Sequence, residues 1–266
     1  MHAPLKPRNG PVNSQSLILT CPDGATIAYD KVEGMSPGIF FLHGLNSDRG
    51  GTKAVSLRTY CQNTGRAFVS IDMFGHGESS GEFQDGGISR WTEDAISALD
   101  HLTAGPQIII GSSMGGWVML HAALSRPDRT IGLIGIAAAP DFTEDLIWNS
   151  LTEDQKQAID ENGFIEQPND YGELPTVISA HLIEDGRNCL LMRGPIDIDT
   201  PVRLLHGQQD TDVPYVTSLQ LAENLVSKNV EVLLIKDGDH RLSRGEDLRR
   251  LTAVIDGLCA LQSNPA

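Results

Sequence analysis

The alternation of short apolar runs with helical patterns is the feature that most narrows what this chain folds into. Gly38-Ile-Phe-Phe-Leu42, Ala67-Phe-Val-Ser-Ile-Asp72, Gln107-Ile-Ile-Ile-Gly111, Ile131 to Ala138, Val202-Arg-Leu-Leu205 and Val230 to Ile235 each read as a strand. Helical spacing fills Thr52 to Thr64, Ser89 to Leu102, Met114 to Leu124, Tyr215 to Val226 and Leu248 to Leu258. In the second of these, Ile96 and Leu99 share a face, and Gly105-Pro106 stops the helix. Strands alternating with helices predict a mostly parallel sheet with helices on both faces. The opening differs: Leu17-Ile-Leu-Thr20 and Thr26 to Tyr29 flank a Pro22-Asp23-Gly24 turn, which predicts a hairpin.

One segment breaks this rhythm. Between Pro140 and Pro201 no strand pattern emerges, only short helical patterns carrying Phe142, Ile147, Trp148, Phe164, Tyr171 and Leu182. An insertion of that length is usually functional, such as a lid. The expected organisation is an irregular lead over 1–16, then one α/β domain over 17–266 with a small helical cap over about 141–200.

Composition limits the function classes. The chain has 266 residues, 40% hydrophobic and 21% charged, a globular profile with enough apolar material for one large core. Its 35 acidic residues outnumber 20 basic ones, giving a net charge of −15, which repels phosphate backbones and anionic lipid heads. Nucleic acid and stable membrane insertion are therefore not expected, and no run approaches the roughly 20 apolar residues of a bilayer span. Met1 to Gly10 holds no apolar h-region of a secretory signal. Cys21, Cys61, Cys189 and Cys259 are scattered without a C-x-x-C pair, so they read as reduced, mostly buried thiols. A cytoplasmic location is expected, with the mitochondrial matrix as the alternative for a eukaryotic source.

Gly111-Ser112-Ser113-Met114-Gly115 fits G-x-S-x-G, follows the Gln107 to Ile110 run and opens a helix. A serine at the tip of such a strand-to-helix turn projects its hydroxyl, and glycines two residues to either side avoid steric conflict. The next helix turns its N-terminal N–H groups toward negative charge forming there. Ser112 lacks the flanking glycines, so Ser113 is the candidate nucleophile; the competing reading is an ordinary Gly/Ser-rich loop that binds phosphate.

A serine hydroxyl needs a base, and the base needs an acid to fix its tautomer. When a serine lies on this kind of turn, the acid follows it in the chain and the histidine comes last. Of the histidines after Ser113, His121 falls inside a helix, His181 in the insertion, and His206 at a strand end, where it reads as a packed residue. His240, in Lys236-Asp-Gly-Asp-His240, lies on a loop directly after the Val230 to Ile235 strand and is the candidate base. Asp210 lies in the loop after the preceding strand and is the candidate acid. Asp212, which reads as a turn residue before a helix, and Asp141, after the Ile131 to Ala138 strand, are alternatives. Two backbone N–H donors must face the developing oxyanion. Leu45, in Phe40-Phe-Leu-His-Gly-Leu-Asn46, and Met114 are the candidates. His43 is expected to shape that loop, and Asp72-Met-Phe-Gly-His-Gly-Glu-Ser79, with His76, to support it from behind.

His43-Gly44, Gly75-x-Gly77-x-Ser79, Gly111-x-Ser113-x-Gly115, Asp210 and His240 together resemble the α/β-hydrolase superfamily along nearly the whole chain. More narrowly, Gly51-Thr-Lys53, Gly105-Pro-Gln107, Gly111 to His121, Arg203-Leu-Leu-His-Gly207 and Asp239-His-Arg241 resemble its mitochondrial acyl-glucuronide esterase and palmitoyl-protein thioesterase subgroup. The resemblance implies an α/β-hydrolase fold. It also implies hydrolysis of small-molecule esters or acylated cysteines by Ser113, Asp210 and His240. No metal or cofactor enters that chemistry. Trp148, Phe164 and Tyr171 are candidates to contact an acyl chain, the alternative being that they form the insertion's own core. The chain's first residues are too short and too poor in Arg and Ser for a transit peptide.

The nucleophile separates several rivals. Haloalkane dehalogenases and epoxide hydrolases carry aspartate where Ser113 stands. C–C bond hydrolases, peptidases and acyltransferases keep a serine and stay open. A catalytically silent ligand-binding protein would lack a member of the triad, and a nucleotide-binding module would need a lysine or G-x-G-x-x-G after its first strand.

Overall fold

The structure, a computed structural model, describes residues 17–167 and 175–263. The expected lead over 1–16 lies outside the described residues. Among the described residues, ten strands and seven α-helices run in this order: β1 Leu17–Thr20, β2 Thr26–Val32, β3 Met35–Leu42, α1 Thr52–Thr64, β4 Arg66–Ile71, α2 Ile88–Leu102, β5 Gln107–Ser112, α3 Met114–Ser125, β6 Thr130–Ile136, α4 Glu153–Asn162, β7 Phe164–Gln167, β8 Thr176–Ser179, α5 Ala180–Asn188, β9 Val202–Gly207, α6 Val216–Asn224, β10 Val230–Ile235 and α7 Gly245–Ser263. Eight strands form one sheet in the order β1-β2-β4-β3-β5-β6-β9-β10. The β1–β2 and β2–β4 pairs are antiparallel and every later pair is parallel.

The unbroken apolar runs follow from burial on both faces of the sheet. Phe40, Leu42, Ile109 and Leu133 point to a core shared with Trp91 and Leu99 of α2 and Trp117 and Met119 of α3. Their neighbours Ile39, Phe41, Ile108, Ile110 and Ile134 point the other way, to Leu57 of α1 and Leu251 and Ile255 of α7. The period-two alternation of a strand thus builds two cores from one run of residues. Because the central strands are parallel, the loops after β3, β4, β5, β6, β9 and β10 all open at one edge of the sheet.

The segment between β6 and β9 departs from expectation. Beside α4, α5 and a wide helical turn at Thr143–Ile147, it contains a two-stranded antiparallel hairpin, β7 with β8, where only helical patterns were expected. Four residues are too few for a period to declare itself, and among the described residues each strand pairs only with the other, so contact rather than pattern sets the pairing. Gly163, at φ +83°, caps α4 in the left-handed region and turns the chain into β7. The start of α4 was more orthodox: Thr152 and Gln155 form a reciprocal capping box. Leu151, Ile159, Ile178 and Ile183 give the segment a small core of its own.

Candidate active site

Ser113 stands between β5 and α3 with φ +54° and ψ −121°. A non-glycine residue there carries strain, on the order of 1–3 kcal/mol, that surrounding contacts must hold. They do so from both sides. The Ser113 N–H donates to the Ile136 carbonyl at 2.9 Å, and its own carbonyl accepts from Gly116 at 2.8 Å and Ala139 at 3.1 Å. The flanking glycines permit this packing: a methyl group at Gly115 would overlap the carbonyls of Leu42 and His43, and one at Gly111 the carbonyl of Gly115.

His240, on the loop after β10, places Nε2 3.0 Å from Ser113 Oγ and Nδ1 2.8 Å from Asp210 Oδ2. Asp210, after β9, has a fully buried side chain. Its Oδ1 accepts the N–H groups of Asp212 and Val213 at 2.9 and 2.8 Å, and its Oδ2 faces both His240 and His206, the latter at 3.1 Å. Burial pushes this carboxyl up, but donation from His206 and His240 outweighs it and holds the group well below the usual carboxylate range. An ionised Asp210 can only accept, so His240 carries its proton on Nδ1 and leaves Nε2 to accept from the serine.

His206 is more than the packed strand-end residue its position suggested. Its Nε2–H donates to the Val213 carbonyl at 2.9 Å and toward Asp210, while Nδ1 accepts from the Ser218 hydroxyl at 2.7 Å. The only hint in the sequence was the four-residue spacing of His206 and Asp210 across a strand end. The other candidates lie apart from this chain of bonds. The exposed Asp212 supports Asp210 through its backbone N–H. Asp141 is buried beneath the insertion, where it accepts the N–H groups of Leu191 and Met192, each at 2.8 Å. His121 faces the Cys189 carbonyl at 2.9 Å, and His181 is exposed on α5.

The loop after β3 lies against the serine. A Cβ on Gly44 would sit 3.2 Å from the Ser113 Cβ, a tight contact that glycine avoids. His43 fixes this loop: Nε2 accepts the Met73 N–H at 3.1 Å, and Nδ1–H donates to the Gly44 carbonyl at 2.8 Å. Burial lowers the His43 pKa to about 4, so the ring stays neutral, as acceptance of the Met73 N–H requires. In a trans peptide the C=O and following N–H point oppositely, so anchoring the Gly44 carbonyl frees the Leu45 N–H on the other side. His76 packs on His43 with ring centroids 4.9 Å apart, and the buried Asp72 binds Arg49 and the Glu78 N–H. The loop after β4 therefore braces the loop after β3.

Ser113, His240, Leu45 and Met114 line one cavity of about 380 Å³. On the side of the insertion its apolar wall comes from Phe142, Ile147 and Ile178. Trp148 and Phe164 were expected there, and the structure puts them elsewhere. Trp148 belongs to the insertion's small core and lies under the Arg187 guanidinium, 4.4 Å from its ring centroid, while Phe164 is exposed at the start of β7. Tyr171 lies outside the described residues. Asp210, Asp212 and His240 offer ligand atoms within 4.8 Å of one another, a spacing a metal ion could bridge. Both nitrogens of His240 are already committed, to Asp210 and Ser113, so the set does not fit an ion while those bonds stand.

A doubly covered parallel sheet, a serine on a strained turn after its middle strand, and a histidine and aspartate on two later strand ends define an α/β hydrolase. A family model described as serine aminopeptidase, S33, matches residues 36–158. The human mitochondrial palmitoyl-protein thioesterase ABHD10 is 38% identical over 242 residues, covering 91% of this chain and 79% of the relative. The structure of mouse α/β hydrolase domain-containing protein 10 superposes with a TM-score of 0.86 at 37% identity, covering 93% of this chain and 99% of that one. A putative hydrolase from Agrobacterium vitis gives 0.87, also at 37% identity, over 94% and 99%. The chain belongs to the ABHD10 family of α/β hydrolases, and it is a hydrolase of ester-type acyl bonds. The curated relative is described as mitochondrial, which lends the cytoplasmic expectation no support. No helix among the described residues is long and apolar enough to cross a membrane.

Proposed function

We propose that this chain removes acyl groups from cysteine thioesters and from oxygen esters, using Ser113 as nucleophile, His240 as base and Asp210 as its orienting acid. The observation that carries this reading is the unbroken hydrogen-bond chain from Ser113 Oγ through His240 to Asp210, anchored on a strained turn that opens into a cavity. His240 Nε2 takes the Ser113 proton as Oγ attacks the acyl carbonyl. The Leu45 and Met114 N–H groups hold the oxyanion, and Asp210 stabilises the imidazolium. Collapse breaks the C–S or C–O bond, and the imidazolium gives its proton to the departing thiolate or alkoxide. Water, deprotonated by the same Nε2, then attacks the acyl-enzyme and releases the carboxylic acid.

Phe142, Ile147 and Ile178 give the acyl chain an apolar wall, two of the three contributed by the start of the insertion. The segment over 141–200 is accordingly proposed to act as a cap on one domain. The relatives' thioesterase activity favours long acyl chains on protein cysteines, and their mitochondrial description favours that compartment for a eukaryotic source. The test is hydrolysis of a chain-length series of paired 4-nitrophenyl esters and acyl-cysteine thioesters. Serine-dependent turnover rising toward long thioesters is expected, with Ser113→Ala inactive but folded. Substantial turnover by Ser113→Ala would overturn the mechanism, and turnover of short oxygen esters alone would overturn the substrate class.

A further inference from the structure

His206 takes no part in the proton transfers proposed for the triad, yet it is the second histidine on Asp210. It lies near the end of β9 with its side chain fully buried. In register it stands beside Leu234 of β10, the strand that leads into the His240 loop. Its Nε2 faces two acceptors, the Val213 carbonyl at 2.9 Å and Asp210 Oδ2 at 3.1 Å. A lone pair on Nε2 would oppose those of both oxygens, so Nε2 carries the hydrogen. At the other end of the ring, Nδ1 lies 2.7 Å from Oγ of the buried Ser218 in α6. One nitrogen is thus fixed on α6 while the other is aimed at the carboxylate.

The consequence for Asp210 depends on what holds each of its oxygens. Oδ1 accepts the N–H groups of Asp212 and Val213. Oδ2, which accepts from His240 at 2.8 Å, has only the two histidines as donors among the described residues. The terminal torsion of an aspartate is broad, and acceptor directions at an sp² oxygen are broad too. The bonds to Oδ1 therefore leave the carboxylate free to rock and carry Oδ2 away from His240. His206 removes that freedom. Val213 completes the clamp, since its N–H donates to Oδ1 while its carbonyl accepts from the His206 ring. An apolar side chain of the same size would fill this space equally well. What histidine adds is a donor on the oxygen that orients the imidazole.

We propose that His206 is a positioning residue of the hydrolysis: held from behind by Ser218, its Nε2–H pins Asp210 Oδ2 against the ring of His240. The proposal rests on the triad reading and extends it by two residues, neither of which touches substrate. A reactive geometry holds only when the residues behind it have locked rotamers of their own. Alignment of Asp210 with His240 matters most while the imidazole carries the serine proton, after the substrate is already in the cavity. Loss of the clamp should accordingly appear in kcat and spare KM.

Two variants of similar size separate the donor from the packing. His206→Gln keeps an N–H that can reach Asp210, His206→Met keeps none, and both give up the imidazole bond to Ser218. On a short 4-nitrophenyl ester, His206→Met is expected to lower kcat by about tenfold to a hundredfold with KM within about threefold, as for a lost hydrogen bond to a charged group. His206→Gln should recover a large part of that loss. Ser218→Ala, which leaves the ring in place but frees its far end, should fall between wild type and His206→Met, and it carries the test if His206→Met does not fold. Circular dichroism and urea unfolding establish which variants are folded under assay conditions. Proton NMR gives a readout that needs no turnover: the exchangeable His240 Nδ1–H signal, assigned by its absence from His240→Ala. It should move upfield or broaden in His206→Met and stay near its wild-type position in His206→Gln. Equal kcat in folded His206→Gln and His206→Met, with that signal unmoved in both, would make the ring mere packing and overturn the proposal. The two possible failures are distinguishable. Wild-type kcat in Asp210→Asn overturns the triad reading and the positioning role with it, whereas a crippled Asp210→Asn beside an unaffected His206→Met overturns the positioning role alone.

Discussion

Asp210 receives four donors: two backbone N–H groups on one oxygen and two histidines on the other. That crowding explains why this carboxylate, and not its exposed neighbour, can hold an imidazole in one tautomer. Asp210→Asn puts an amide against His240, favours the wrong ring proton, and is expected to lower kcat by about 10⁴. Asp212→Asn keeps the backbone N–H that Asp210 uses, and should change kcat by no more than a few-fold. Steady-state kinetics on one ester compares the two, and the reverse order would mean the acid is misassigned. The proposed triad of Ser113, Asp210 and His240 could be nominated from the sequence because each residue follows a recognisable apolar strand. His206 could not, since nothing in a strand pattern tells which way a terminal ring turns.

At the scale of elements, the central strands and their helices announced themselves because burial on both faces demands long apolar runs. The insertion did not, because its hairpin and helices are short and draw their order from contact with one another. Trp148 illustrates the difficulty: an aromatic residue in a cap suits an acyl chain or a local core equally well until its neighbours are known. Asp141 ties this segment back to the sheet by accepting the N–H groups of Leu191 and Met192, with the Arg193 guanidinium 3.5 Å away. Asp141→Ala orphans both donors in a buried place and is expected to cost about 2–5 kcal/mol in urea unfolding. At temperatures where the variant is folded, its kcat on a short ester should stay within tenfold of wild type. Loss of activity by orders of magnitude with stability intact would instead make Asp141 the catalytic acid.

Across the whole molecule, the balance of buried titratable groups predicts how stability depends on pH. Burial lowers both His43 and His76 from 6.5 to about 4, so the folded protein holds them neutral where the unfolded chain would protonate them. Their contribution is complete above pH 6.5, is lost progressively as the pH falls toward 4, and levels off below that, when both states bind the proton. For His43 alone the loss is on the order of 3 kcal/mol. His76 adds a comparable loss, since burial and then the neighbouring His43 charge lower it to about the same value. Asp94 works in the opposite direction: burial raises it to about 6, so its contribution grows as the pH falls from 6 toward 4. It offsets one histidine and leaves the other exposed to acid. Shedding part of the −15 charge also relieves repulsion in acid, but that surface effect is screened by salt, whereas the buried pair is not. Urea-unfolding free energies should therefore fall by a few kcal/mol between pH 6.5 and 4, with a slope that survives 0.5 M salt. His43→Asn should flatten it. The ring signals of His43 in the native protein should show no titration until about pH 4, and a midpoint near 6.5 would sink the idea. Protonation would set a second ring N–H against the Met73 N–H that His43 Nε2 accepts, so the same acid range should loosen the loop and cost activity before the fold is lost.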